Sequence, residues 1–129
     1  MKKNDFFDQY KDPRWQKKRL EIMKRDEFQC QVCGEKEREL NVHHRIYLKD
    51  QKIWDYENKH LITLCEDCHR MAHSERKELN LLLADIHEMF LSEYIEVIIT
   101  LNRFNPSQIM YIRKFLNDMF PLSDKKFYD

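Results

Sequence analysis

The chain has 129 residues, 42% apolar and 36% charged, with 23 basic and 23 acidic side chains and no net charge. Such a composition suits a soluble chain of one small domain, or a compact domain with an added element, and excludes disorder. No run of 18 apolar residues offers a membrane span, and neutrality argues against a free-standing nucleic-acid binder, because phosphate contacts normally show as a basic excess.

The first residues, Met1-Lys2-Lys3-Asn4-Asp5, lack the apolar core of a secretory signal, so the four cysteines are expected to be reduced and the protein cytoplasmic. Gly34 is the one glycine, and Pro13, Pro106 and Pro121 are the only prolines, which favours helices over a many-stranded sandwich. Asp12-Pro13 reads as an N-cap followed by proline at the first helical position. Trp15, Leu20, Ile22 and Met23 supply a buried stripe for that helix, and the segment ends by Phe28. From Lys11 to Arg25 there are seven basic residues against Asp12 and Glu21, whereas beyond Arg76 there are six basic and eight acidic. Lys17, Lys18, Arg19, Lys24 and Arg25 are expected around the exposed sides, so any nucleic-acid face lies toward the N-terminal half.

Cys30-Gln31-Val32-Cys33-Gly34 has the form of a metal knuckle with a glycine turn. Leu40 to Tyr47 alternates apolar and polar residues as a strand does. Lys49 to Lys59 reads as a loop anchored by Trp54 and Tyr56, His60 to Leu64 as a second strand, and Cys65 to His73 as the turn into a helix. Leu79 to Leu101 has the pattern of one long apolar helix, with Leu79, Leu82, Leu83, Ile86, Met89 and Phe90 on one stripe. His87 sits alone on it as a structural residue. Asn105-Pro106 starts another helix carrying Ile109, Ile112, Phe115, Leu116 and Met119, so the C-terminal part is expected to be a helical hairpin, either folded back on the core or open to a partner.

Two Cys-x-x-Cys pairs, Cys30/Cys33 and Cys65/Cys68, match the four thiolates of a structural zinc site, which has no open coordination position and therefore folds the chain. Five of the six histidines fall between positions 43 and 73. His69 and His73 are four apart on an expected helix, so their rings share a face and reach one ion. His43 and His44 are adjacent on an expected strand and point to opposite sides, so one can ligate while the other does not. An ion with open positions beside an unligated histidine meets the needs of phosphodiester hydrolysis: a Lewis acid, an activated water and a proton acceptor.

The succession Cys-x-x-Cys, Val-His-His, Leu-Cys-x-x-Cys-His-x-x-x-His resembles the HNH endonucleases of the His-Me finger (ββα-metal) superfamily, over roughly Trp15 to Ser74. The resemblance implies an α+β fold: a small ββα-metal core with a zinc knuckle, here followed by the C-terminal helical hairpin. It assigns His43, His69 and His73 to one catalytic divalent ion (Mg2+, Mn2+, Ni2+ or Zn2+) and His44 to the general base. Cleavage would leave a 5′-phosphate and a 3′-hydroxyl. His60 stands where the family carries an asparagine that braces the base-bearing loop, so it is expected to brace or to act as a further ligand, with Asn58 as a substitute brace. Lys17, Lys18, Arg45 and Arg70 are candidate phosphate contacts.

These readings divide the chain into a nuclease domain at 1–76 and a helical extension at 77–129, with DNA as substrate and no membrane. The apolar C-terminal helices suggest a second copy or a partner protein. The competing class is a catalytically silent zinc module that binds nucleic acid or protein; a nuclease subunit targeted by a partner is the third.

Overall fold

In the computed structural model, which describes residues 7–121, a helical turn at residues 7–9 precedes helix α1, Pro13–Arg25. Asp12 is extended at the cap and its carboxylate accepts the Arg14 N–H at 2.8 Å, so one of the unpaired donors of the first turn is satisfied. Trp15, Ile22 and Met23 form the buried face. Leu20, expected on it, is 56% exposed, because five positions from Trp15 is about 140° round the helix. Three of the expected surface cations also bond to the rest of the fold, Lys18 by donating to the Asn58 side chain. Arg19 donates to the Leu40 carbonyl at 3.1 Å. Arg25 pairs with Asp26 at 2.7 Å and reaches the carbonyls of Asn58 and Leu61.

The chain leaves α1 through Glu27 and Phe28, both at positive φ without being glycine. The Phe28 N–H returns to the Met23 carbonyl at 2.8 Å, a helix-terminating bond that offsets part of the cost of the left-handed turn. Strand β1, Leu40–His44, then pairs antiparallel with β2, Leu61–Cys65, in the register Leu40↔Cys65 to His44↔Leu61. The first strand stops at His44 rather than running to Tyr47. Arg45 still donates to the His60 carbonyl, but beyond it the partner chain is a 3-10 turn, Asn58–His60, that offers no ladder. That turn also takes His60 out of the second strand. Helix α2, Glu66–Ala84, follows β2 directly and completes a ββα arrangement.

Two apolar clusters hold these elements. Trp15, Ile22, Met23, Val42, Ile53, Tyr56 and Leu61 pack between α1, the sheet and the loop that joins the strands. Cys30, Leu64, Cys65 and Cys68 form the second. Asp26, buried at the end of α1, accepts the Thr63 N–H at 2.8 Å and so ties the helix to β2. Of the expected anchors, Tyr56 is buried and Trp54 half-buried.

The chain forms two compact units, Met1–Asn80 and Leu81–Asp129. In the second, the expected continuous helix from Leu79 to Leu101 is broken. Asp85 and Ile86 close short bonds to Leu82 and Leu83, and His87 turns extended and takes the Met89 N–H on its ring nitrogen at 3.1 Å. His87 is therefore a helix cap rather than a helix residue. A 3-10 turn, Glu88–Phe90, leads into α3, Leu91–Leu101. Helix α4, Pro106–Met119, begins with a capping box in which Asn105 and Gln108 exchange side-chain bonds to each other's backbone N–H. No described residue of this unit is buried, and Leu101, Ile109 and Ile112 are only half-buried. Among the described residues, no helix is long and apolar enough to cross a membrane. Among the described residues the result is a small α+β fold with a ββα-like core, the preceding helix α1 and the two later helices α3 and α4. Residues Met1–Asp5, on which the expectation about a secretory signal rests, lie outside the described residues.

Candidate metal centres and active site

Local turns bring the cysteines together. The Gly34 N–H returns to the Cys30 carbonyl at 2.8 Å with Gly34 at φ 77°, a conformation open to glycine at little cost. The Gln31 N–H bonds the Thr63 carbonyl at 3.0 Å, which sets the knuckle beside the end of β2. Cys65 closes that strand and Cys68 sits in the first turn of α2. All four sulfurs lie within 4.8 Å of one another, with Cys33 Sγ and Cys65 Sγ 3.7 Å apart. Thiolates at about 2.3 Å from one zinc would stand roughly 3.8 Å apart, so the cluster fits a tetrahedral ion. Its electrostatics fit as well. Burial opposes ionisation of Cys30, but the N–H groups of Cys33, Cys65 and Val32 outweigh it and bring that thiol down to about 6. Cys68 is pushed up to about 12, first by burial and then by the neighbouring thiols. Four thiolates in one place need a cation to share.

The second cluster is built from β1 and α2. His43, His69 and His73 each bring a ring nitrogen within 4.8 Å of the others. His69 and His73, one turn apart on α2, face each other with Nε2 atoms at 3.1 Å, and both rings stand edge-on to His43. His43 is buried, and its Nδ1 has no hydrogen-bond partner. Burial, followed by the neighbouring His69 and His73, lowers its pKa to about 4. Burial and then His73 also lower His69. Three imidazoles converging, two of them biased toward the neutral form and one with an unpartnered nitrogen, suit a divalent ion.

His44 lies among different neighbours. Its ring stacks on Trp15 with centroids 5.1 Å apart and meets Tyr56 edge-on at 4.9 Å. Nε2 is 3.0 Å from the Ile53 carbonyl. A carbonyl only accepts, so Nε2 carries the proton, and in the neutral ring Nδ1 keeps the lone pair. Burial lowers the pKa of His44 and the carbonyl partly restores it. His44 nevertheless shares a cleft of about 350 Å³ with His69 and His73, also lined by Tyr10, Trp15, Arg19 and Tyr47.

The remaining candidates fall elsewhere. His60 is not in the three-histidine cluster; its main chain joins the Glu57 carbonyl and the Arg45 N–H. Asn58 faces α1, accepting from Lys18 and donating to Glu21. Lys17, Lys18, Arg45 and Arg70 do not line the cleft, and Arg70 pairs with Asp67. Arg19 does line it. The signal was present in the sequence: Arg19 is four positions from Trp15 and so shares its face of α1.

No curated protein and no solved structure gives a significant match to the chain. Residues 30–75, which hold both clusters and His44, match the family model described as HNH endonuclease.

Proposed function

We propose that this protein is a metal-dependent endonuclease that hydrolyses phosphodiester bonds of DNA. The carrying observation is one cleft that joins His44, whose Nδ1 is left with the lone pair, to His69 and His73 of the three-histidine cluster. In this reading the cysteines hold a structural Zn2+, and His43, His69 and His73 hold one divalent ion (Mg2+, Mn2+, Ni2+ or Zn2+). The ion supplies Lewis-acid polarisation of the phosphate when bound. His44 Nδ1 takes the proton from the attacking water, Trp15 and Tyr56 hold its ring, and Arg19 contacts phosphate from the cleft wall. His60 acts through its main chain, bracing the end of β1. Residues 1–76 form the nuclease domain. Residues 77–129 form an extension, and the exposed apolar faces of its described helices take a second copy or a partner protein.

Plasmid nicking tests the assignment. His44→Ala should lower the rate by roughly 10²–10⁴-fold, with zinc content and thermal melting unchanged. Equal nicking by variant and wild type would remove His44 as the base. Zinc-loaded wild type that cleaves with none of the four ions would favour a silent binding module.

A further inference from the structure

The group that faces His44 Nε2 is itself held in place from outside the segment 30–75. Ile53 lies in the connection between β1 and the 3-10 turn and belongs to no strand or helix. Its carbonyl receives the His44 Nε2 proton at 3.0 Å, and its N–H donates to Gln9 Oε1 at 3.1 Å. The Ile53 peptides are thus gripped on one side by the imidazole and on the other by a side chain 44 positions away. Gln9 is 5% exposed and Ile53 1% exposed, so water does not replace this bond. Gln9 is fixed in turn: its carbonyl accepts the Asp12 N–H at 3.1 Å, at the cap of α1. The same helix supplies Trp15, which stacks on the face of His44. Local bonds shape the rest of the loop: the Asp55 N–H closes a turn across Ile53 and Trp54 on the Lys52 carbonyl at 3.0 Å, the Tyr56 hydroxyl accepts the Leu48 N–H at 2.7 Å and Gln51 donates to the Asp55 carbonyl. None of these bonds uses the N–H or the carbonyl of Ile53, which go to Gln9 and His44.

We infer that Gln9 is a positioning residue for the active site: it anchors Ile53 so that the carbonyl meets His44 Nε2, and thereby sets the tautomer and ring orientation that leave Nδ1 free to accept a proton. The inference rests on His44 being the base. Its physical content, the hold of Gln9 on the His44 ring, is measurable without substrate.

The test compares the full, zinc-loaded chain with Gln9→Leu, which removes the acceptor at similar volume, and Gln9→Glu, which keeps an oxygen at the same reach. Nitrogen-15 NMR of the histidine rings reports the tautomer directly. Wild type and Gln9→Glu should show a protonated Nε2 and a bare Nδ1 at His44, whereas Gln9→Leu should show signals averaged between the two tautomers. In plasmid nicking Gln9→Leu should lose roughly 10–100-fold in kcat with KM little changed, and Gln9→Glu should recover most of that loss. Should Gln9→Leu fail to fold, Gln9→Asn, one methylene short of Ile53, should show the same signature. Unchanged His44 ring signals and unchanged kcat in these variants would overturn the assignment. Altered ring signals in a chain whose wild type cleaves nothing would uphold the hold of Gln9 on His44 and count against the nuclease reading instead.

Discussion

His43 and His44 are consecutive, yet their rings meet different neighbours, because successive residues of a strand face opposite ways. His43 meets the two α2 histidines and His44 meets Trp15. Adjacency in the sequence was enough to expect that division. It could not show Gln9, since one glutamine 44 residues from its partner has no periodicity or motif to reveal it. A testable consequence at this scale follows from the burial of His43. An unfolded histidine titrates near pH 6.5, and His43 in the fold titrates at about 4. As pH falls below 6.5 the unfolded chain takes up this proton before the folded one does, so the contribution to stability is present above 6.5 and is lost on the way down to about 4. Denaturation of the zinc-loaded protein, without an added second ion, should give midpoints that fall between pH 6.5 and 5. The fall should be shallower in His43→Gln; identical slopes would contradict a buried, neutral His43.

Elements differ in how openly they declare themselves. The two cysteine pairs were readable because a turn of fixed length must separate two ligands of one ion. The N-caps at Asp12 and Asn105, each followed by proline, were readable for the same local reason. The break between α2 and α3 was not. Apolar spacing continues through residues 85–90, and His87 is an uncommon cap that periodicity does not register. Arg19 departs from the expected exposed sides of α1, because its spacing of four from Trp15 sets it on the inner face, which the basic run around it conceals. Among these elements the knuckle and α2 depend on each other most, since Cys68 and His69 are consecutive in the first turn of the helix. Cys33→Ser should therefore lower the melting temperature and also weaken binding of Mn2+ or Ni2+ at the histidines. Calorimetric titration of the two proteins checks this, and an unchanged affinity in a destabilised variant would show the sites to be independent.

At the scale of the whole molecule, the two units differ in how much they bury. Residues 1–80 enclose two apolar clusters, whereas the described part of 81–129 has no buried residue while Ile95, Val97, Ile98 and Ile99 stand more than 40% exposed. A helical segment of that size without a core is marginal alone, and the chain carries no net charge to draw it to phosphate unaided. Light scattering should therefore find a species heavier than 16.1 kDa, and a clean monomer would count against self-association through these helices. The consecutive placement of Cys68 and His69 also reaches beyond the helix that carries them. If filling the thiolate site improves the histidine site, reciprocity requires the second ion to tighten the hold on the first by the same factor. The two metals would then act as heterotropic ligands of one protein, with zinc supply setting the apparent demand for the other cation.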